Sequence, residues 1–319
     1  LAGTIKDVIP RYQNMNGKYV RREWGWDCHG LPIENLIEKK FNLNSKKDIE
    51  EFGIANFNKE AEESVLKYEK EWKEIIPRFG RWVDMENSYK TMDSTYTESV
   101  WWAFNELNKK GLVFEGYKSM HICPRCETTL AQSEVAQGYK DLTDISLTAK
   151  FELEDESNTS GKTFILAWTT TPWTLPGNVA LAINKNFEYV KVKVETDENY
   201  ILAKDRAEEV FKKIDLKYEI IEEFVGKNLI DKKYKPVFNY YENIDLENKE
   251  NIYTIQNADF VTLDTGTGVV HIAPAFGEED LNLAKEKSLP VIKHVGMNGE
   301  FVKEVKDFAG MKVKTKDDN

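Results

Sequence analysis

The spacing of apolar residues changes once along this chain, near Asp141, and this change constrains the fold more than any other feature. Before it, apolar residues recur three or four positions apart, as from Phe57 through Val65 to Trp72, which predicts amphipathic helices. After it, they alternate with polar residues or form short runs, which predicts strands. The 319 residues also exceed the size at which one hydrophobic core stops growing. We therefore expect an α/β region followed by a β-rich region.

Local signals refine this division. Thr95 and Glu98 have the spacing of a capping box and predict the start of a helix that ends near Gly111. In the second region, strands are predicted at 163–168, 190–194, 218–224 and 260–263, and the acidic, Asn-rich range 240–251 predicts a loop.

Composition excludes several classes of protein. A net charge of -11 argues against a protein that wraps nucleic acid through bulk positive charge. Three cysteines are too few for a disulfide framework, so we expect a reducing, cytoplasmic location. No apolar run is long enough to span a membrane. The first residue is Leu1 and no secretory signal follows, so we expect a piece of a longer protein.

The segment from Gly25 to Gly30 places Asp27, Cys28 and His29 in succession. Adjacent residues of an extended chain point to opposite faces, so Cys28 and His29 do not form a nucleophile–base pair. The flanking glycines predict a strand end opening into a turn, where Asp27 could hold an ammonium group. From spacing alone, a purely structural turn is the favoured explanation.

Cys123 and Cys126 have the spacing of half a tetrahedral zinc site. His121 is a candidate third ligand, and a thioredoxin-like redox pair is the alternative.

Three consecutive threonines, Thr169, Thr170 and Thr171, follow a predicted strand and precede Pro172 and Pro176. The prolines fix backbone angles, so the loop would hold the hydroxyls at little entropic cost. The plainer explanation is that threonine favours strands and proline ends them.

A fourth segment runs from Asp264 to Asp280. Gly266 and Gly268 permit a close approach of the backbone, and Asp280 falls at the start of a predicted helix, where a carboxylate complements the helix dipole without any function. His271, on a predicted strand, is by spacing alone more typical of a core residue than of a catalytic one. The glycine spacing is not that of a phosphate loop.

Together these segments resemble the class I aminoacyl-tRNA synthetases and, among them, the isoleucyl enzymes. The resemblance covers the whole chain, and the Thr-Thr-Thr-Pro-Trp-Thr-Leu-Pro form is its most discriminating part, since the valyl and leucyl relatives usually carry arginine where Thr171 stands. The residues that carry the resemblance are 1–7, 26–34, 80–82, 123–126, 169–178 and 266–280.

The resemblance implies an α/β fold in which part of a Rossmann-type catalytic domain is joined to a β-rich, β-barrel-like editing domain, with a small zinc-knuckle segment between them. The implied boundaries are 1–120 for the catalytic part and the start of the insertion, 121–141 for the zinc-knuckle half-site and 142–319 for the editing domain.

It also implies roles for particular residues. Asp27 would contact the amino group of the amino acid being activated, and Asp280 that of the mischarged amino acid. The editing pocket would be lined by Thr169, Thr170, Thr171, Thr174 and His271. The threonine segment and Asp280 would catalyse hydrolysis of Val-tRNA(Ile), with Thr174 and His271 binding the valyl group.

The implied cofactors are Zn²⁺, held by Cys123, Cys126 and a second pair beyond Asn319, and ATP with Mg²⁺ in the parent enzyme. The implied partners are tRNA(Ile), isoleucine and valine, and we expect a monomer. The adenylate signature and the KMSKS-type loop of the family are absent, so this chain should not activate isoleucine alone.

Editing is needed because one missing methylene provides only about 1 to 3 kcal/mol of discrimination, a general value established for isoleucine against valine. The alternatives are a valyl or leucyl synthetase fragment and, from another class, a non-catalytic zinc-ribbon module that binds RNA. Activity that survives substitution of Thr170 and Thr171 would favour the binding module.

Overall fold

A computed structural model describes residues 1–141, 143–154, 161–196 and 198–314. The chain divides into two compact units, residues Leu1–Gly116 and Tyr117–Asn319. Each unit mixes helices with at least one sheet, so the fold is of the mixed α/β kind that the sequence predicts.

The first unit is mainly helical. Its helices are Ala2–Met15 (α1), Leu31–Phe41 (α2), Lys46–Phe52 (α3), Ile54–Val65 (α4), Glu69–Arg78 (α5) and Ser94–Lys109 (α6). Two strands, Glu23–Trp26 (β1) and Asp84–Lys90 (β2), pair in parallel. Parallel pairing across intervening helices is the arrangement of α/β domains.

Two details of these helices differ from the sequence prediction. The apolar run after Phe57 does not form one helix, because a 3₁₀ turn at Leu66–Tyr68 separates α4 from α5. The capping box at Thr95 is wrong: α6 begins at Ser94, and its N-cap residue is Asp93. The Asp93 carboxylate accepts a hydrogen bond from the Lys90 backbone N–H at 3.2 Å instead of capping the helix. The apolar face of α6 is exposed rather than packed.

The second unit is built on a six-stranded sheet. Its first elements are Ile122–Cys123 (β3), Thr128–Thr129 (β4), Gln132–Gln137 (α7), Leu147–Leu153 (β5), Thr163–Thr169 (β6), Ala180–Ile183 (β7), Glu188–Val194 (β8) and Asn199–Ala203 (β9). They are followed by Lys204–Lys213 (α8), Tyr218–Val225 (β10), Tyr234–Lys235 (β11), Thr254–Asn257 (β12), Val270–Ile272 (β13) and Glu278–Lys287 (α9). The large sheet has the order β10-β8-β9-β6-β5-β11, and a smaller one the order β12-β7-β13.

Most predicted strands are present. β6, β8 and β10 correspond to three of the four predicted runs, and the loop predicted at 240–251 contains only turns and one short 3₁₀ helix. The prediction at 260–263 is wrong, because Phe260 lies in a turn and the residues after it form no strand. Val261 is buried there without strand pairing, so burial alone produced the apolar signal.

Three clusters of buried apolar side chains make up the core of the second unit, and they lie between the two sheets and beneath α8 and α9. β7 contributes to two of these clusters, because successive side chains of a strand point to opposite faces. Leu181 enters one cluster and Ala180 the other. The barrel-like closure that we expected is not confirmed, since pairing among the described strands runs from β10 to β11 without closing.

In the part of the chain that the structure describes, no helix combines the length and apolar character that crossing a membrane requires.

Candidate functional site

A cavity of about 360 Å³ lies in the second unit, where the end of β6, the strand β13 and the start of α9 meet. Two sequence segments separated by about a hundred residues supply its walls. Among the residues that line it are Thr169, Thr170, Thr171, Thr174, His271 and Asp280. The fold therefore brings together all six side chains that the resemblance to the synthetases implies for one pocket.

The threonine wall is a strand end followed by a tight turn. β6 ends at Thr169, and a 3₁₀ helix occupies Pro172–Gly177. The hydroxyl oxygen of Thr169 accepts a hydrogen bond from the Thr171 backbone N–H at 3.0 Å and lies 3.3 Å from the Thr171 hydroxyl. Thr170 is the exposed member of the run. These contacts hold two hydroxyls beside each other at the rim of the cavity.

Thr174 and His271 form a buried hydrogen bond that fixes the state of the imidazole. The Thr174 hydroxyl donates to the Thr171 carbonyl at 2.8 Å and lies 2.7 Å from His271 Nε2. Since a hydroxyl carries one proton, Thr174 must accept from Nε2, which therefore bears hydrogen. His271 Nδ1 then carries a lone pair, and it has no hydrogen-bond partner among the described residues.

His271 is neutral at physiological pH. Burial lowers its pKa from 6.5 to about 4, and the nearby His294 adds to this effect. A base this weak is poorly matched to proton abstraction at neutral pH. The geometry suits His271 to shaping the cavity and holding Thr174.

Asp280 lies in the first turn of α9, and its side chain turns back towards the end of β13. Its Oδ2 accepts a hydrogen bond from the Ala273 backbone N–H at 2.8 Å. Burial raises the pKa of the Asp280 carboxyl, and the charge of Glu279 raises it further, whereas the bond from Ala273 lowers it. A Cβ atom on Gly277 would lie 2.9 Å from the Asp280 carboxyl carbon, so this glycine gives the carboxylate its space.

The charge of the cavity is negative. Asp280 and Glu279 are among its lining residues, and no lysine or arginine is among the described residues that line it. Asp280 is partly buried, and a partly buried carboxylate without a cationic partner favours binding a cation. The cavity is therefore suited to a ligand that carries an ammonium group.

A glycine loop forms a further wall that the sequence indicated only in part. Gly266 and Gly268 have φ of +73° and +72°, and added Cβ atoms would lie 3.0 Å from the Trp168 ring and 2.4 Å from the Ala203 methyl. The side chain of Arg206 donates to the Gly266 carbonyl at 3.0 Å, and the Tyr189 hydroxyl donates to the Gly268 carbonyl at 2.7 Å. These anchors were missed, because they come from distant elements that no local pattern connects to the loop.

Other lining residues also escaped the sequence reasoning. They include two aromatic side chains and two further threonines: Trp168, Phe276, Thr262 and Thr265. Trp168 ends the predicted strand 163–168 and Phe276 lies in the segment from Asp264 to Asp280, but nothing in their spacing separates a lining residue from a core residue.

The structure does not bring Asp27 into this cavity. Asp27 lies in the first unit, directly after β1, where it is exposed and its Oδ1 accepts a weak hydrogen bond from the His29 backbone N–H at 3.4 Å. Cys28 is buried and its Sγ donates to the Trp26 carbonyl, whereas His29 is exposed. This arrangement agrees with the prediction that Cys28 and His29 do not form a nucleophile–base pair.

Cys123 and Cys126 lie in the second unit at the turn between β3 and β4. Burial raises the pKa of the Cys123 thiol, but hydrogen bonds from the backbone N–H groups of Cys126 and Arg125 outweigh it, so the net pKa is lowered. A lowered thiol pKa favours the thiolate that binds zinc. Within the described ranges no group of three or more metal-ligating side chains occurs, so His121 does not complete the set.

Comparison with known proteins identifies the family of this chain. The sequence profile of the class I tRNA synthetases for I, L, M and V matches residues 1–276 of this chain. The chain belongs to the class I tRNA synthetase family.

Relatives within this family include isoleucine–tRNA ligases. That of Clostridium tetani is 47% identical over 99% of this chain and 29% of its own length. That of Treponema denticola is 44% identical over 99% of this chain and 31% of its own length. The probable cytoplasmic isoleucine–tRNA ligase of Dictyostelium discoideum is 43% identical over 98% and 30%. The chain thus spans about three tenths of the length of these class I synthetases.

Among solved structures, the P. knowlesi cytosolic leucyl-tRNA synthetase editing domain is 13% identical, with a TM-score of 0.36, over 48% of this chain and 67% of that one. A likeness this loose carries no argument about the class I synthetase chain described here.

Proposed function

We propose that this chain carries the editing site of an isoleucine–tRNA ligase and hydrolyses the ester that joins valine to tRNA(Ile). One observation carries the proposal: the threonine run at the end of β6 and the carboxylate of Asp280 line the same negatively charged cavity. The isoleucine–tRNA ligases among its relatives support the choice of tRNA.

Asp280 binds the ammonium group of the esterified amino acid. This partly buried carboxylate has one oxygen bonded to Ala273 and retains further acceptor capacity for an N–H donor. The charge pair formed on binding stabilises the ionised carboxylate and offsets its burial. This contact fixes the ester relative to the threonine wall.

The threonine wall positions the attacking water and the ester oxygen. The hydroxyls of Thr169 and Thr171 lie side by side, and Thr170 lines the same cavity. The water oxygen attacks the ester carbon, and the bond to the ribose oxygen breaks. One water proton passes to the departing ribose oxygen, so the products are valine and the deacylated tRNA. Oriented donors near the carbonyl stabilise the charge that develops there.

His271 acts on the shape of the cavity and not as the base. Its Nε2–H is committed to Thr174, and a pKa of about 4 leaves it a weak proton acceptor. Thr174 and His271 together limit the space for the valyl side chain, which excludes isoleucine.

The remaining assignments concern the parent enzyme. Asp27 would contact the amino group of isoleucine during its ATP- and Mg²⁺-dependent activation. Cys123 and Cys126 would hold Zn²⁺ as half of a tetrahedral site, whose role is to stabilise the fold of the knuckle. A cytoplasmic location and a monomeric state belong to the same proposal.

The test is deacylation of Val-tRNA(Ile) by the full chain. Asp280→Asn keeps the shape of the side chain and removes its charge, so we expect at least about a 30-fold loss of kcat/KM, since losing one partner of a buried charge pair costs about 2 to 5 kcal/mol.

Glu278→Gln is the matched control. It removes the same charge from the same helical turn, at an exposed position that does not line the cavity. We expect its rate to stay within about twofold of the starting protein. Equal activity of the Asp280→Asn variant and the starting protein would refute the role of Asp280.

A further inference from the structure

His294 is a buried side chain behind the cavity that none of the roles above uses. It lies at the start of a hairpin in which the Val302 backbone N–H donates to the His294 carbonyl at 3.1 Å and Val295 forms a bridge with Phe301. Its exposed fraction is 0%. The hairpin thus delivers an imidazole ring into the interior of the second unit.

The ring contacts the threonine wall in two ways. Its Nε2–H donates a hydrogen bond to the Trp173 carbonyl at 3.0 Å, inside the 3₁₀ helix that follows the threonine run. The ring also packs so closely on Gly177 that a Cβ there would lie 2.1 Å from Nδ1. Both ends of this short helix therefore depend on the position of His294.

The same ring contacts the opposite wall. Its centroid lies 4.6 Å from that of Phe276, which it meets nearly edge-on. Phe276 lines the cavity four residues before Asp280. Trp173 meets the same Phe276 ring at 5.2 Å. His294, Trp173 and Phe276 thus form one aromatic group that joins the two walls.

A histidine at this position destabilises the fold unless the hydrogen bond that its Nε2–H donates is needed. Nδ1 has no hydrogen-bond partner among the described residues, and a buried nitrogen without a partner destabilises a fold, whereas an apolar ring does not. Burial lowers the pKa of His294 to about 4, although the backbone carbonyls of Trp173 and Ile292 act in the opposite direction and raise it. The ring is therefore neutral at physiological pH, with its hydrogen on Nε2.

We propose that His294 is a positioning residue that sets the distance between the threonine wall and the Phe276–Asp280 wall, and with it the selectivity of the cavity for valyl over isoleucyl esters. This inference rests on the proposed function. It follows because a cavity that separates two side chains differing by one methylene needs walls held to within a fraction of an ångström.

Two amide substitutions distinguish the hydrogen bond to the Trp173 carbonyl from the mere filling of space by a side chain. The amide nitrogen of His294→Gln reaches about as far as Nε2, so it can still donate to the Trp173 carbonyl, whereas the shorter side chain of His294→Asn cannot. His294→Phe keeps the ring and removes the donor. Each is assayed in the full chain with Val-tRNA(Ile) and with correctly charged Ile-tRNA(Ile).

We expect His294→Asn and His294→Phe to lower the ratio of kcat/KM for valyl over isoleucyl ester by about tenfold. The loss on the valyl ester should fall mainly on kcat. His294→Gln should keep the ratio within about threefold. A merely structural role would reduce the amount of active protein and scale both substrates equally, leaving the ratio unchanged.

The outcomes separate this inference from the proposed function. An unchanged ratio in both His294→Asn and His294→Phe, together with inactivity of Asp280→Asn, overturns the role of His294 and leaves the hydrolytic site in place. A starting protein that does not hydrolyse Val-tRNA(Ile) refutes the proposed function, and the role of His294 falls with it. Should His294→Phe fail to fold, the pair of amide variants decides the question.

Discussion

The two units of this chain both contain regularly spaced apolar side chains, but they differ in how many of these side chains are buried. The second unit buries strands and helices around three apolar clusters and encloses a cavity. The first unit leaves large aromatic side chains of α6 exposed, with Trp101 71% accessible. The buried apolar side chains of the first unit are Cys28, Ile37, Phe57, Ile76 and Met85.

The difference shows that a hydrophobic pattern predicts an element more securely than it predicts a core. Trp101, Phe104 and Leu107 have the spacing of a packing face, and the helix they predict is present, yet that face has no cover within the described residues. Strands of the second unit meet their partners within the same unit. A functional cavity requires elements that are packed against partners, as in the second unit, because only packed walls hold polar groups in place.

The largest contrast should appear when one aromatic side chain is truncated in each unit. Phe151 is fully buried and packs edge-on against Tyr234, so Phe151→Ala should lower the free energy of unfolding by about 3 to 5 kcal/mol. Trp101→Ala should change it by less than about 0.5 kcal/mol. Urea unfolding followed by circular dichroism measures both, and equal losses would contradict the contrast.

Acid should destabilise the second unit through its two buried histidines. His271 and His294 have pKa values of about 4 in the folded protein, against 6.5 when exposed. The unfolded chain therefore binds more protons between these values, and stability is lost as pH falls from about 6.5 towards 4. From pH 7 to pH 5 each histidine should cost on the order of 2 kcal/mol.

His294→Gln is the control for this pH dependence. It removes one of the two titrating groups and keeps the donor, so the slope of unfolding free energy against pH should fall by about half. Burial raises the pKa of Asp280, which acts in the opposite direction and offsets part of the loss at the acid end. If His294→Gln leaves the slope of unfolding free energy against pH unchanged, His294 does not cause the loss of stability in acid.

A smaller difference in stability is expected when alanine replaces each of two glycines that have similar backbone angles. Gly268 and Gly111 have φ of +72° and +68°, but a Cβ would lie 2.4 Å from the Ala203 methyl at Gly268 and meet nothing within 4 Å at Gly111. Gly111→Ala should cost about 1 kcal/mol of backbone strain. Gly268→Ala should cost about 1 to 3 kcal/mol more through overpacking. Thermal melting of the two variants would show equal shifts if the glycine loop were loosely packed.

Local patterns predicted much of the second unit and little of its site. β6, β8 and α9 follow from residue spacing, because alternation and helix-dipole signals act within a few residues. The shared cavity of the Thr169 segment and Asp280 came from the resemblance to the synthetases, since no spacing relates positions so far apart. The strand wrongly predicted at 260–263 shows the same limit, because burial without pairing gives an identical apolar pattern.

His294 illustrates what sequence reasoning could not reach. It stands outside every motif, and its importance depends on contacts with Trp173, Gly177 and Phe276. These contacts depend on the tertiary fold. Only the glycine at 177 offers a hint in the sequence, and it is equally explained as part of a turn.

The central claim is that two distant segments act as one hydrolytic site, and a double-mutant cycle between Thr171→Val and Asp280→Asn tests it most directly. Both substitutions preserve shape, so each removes a polar function from one wall. Deacylation of Val-tRNA(Ile) is measured for the full chain, both single variants and the double variant.

Groups that act on one substrate as a unit lose activity non-additively. We predict that the double variant is about as slow as the slower single variant. A double variant whose loss equals the product of the two single losses would show that the walls act independently, and this would contradict the single site.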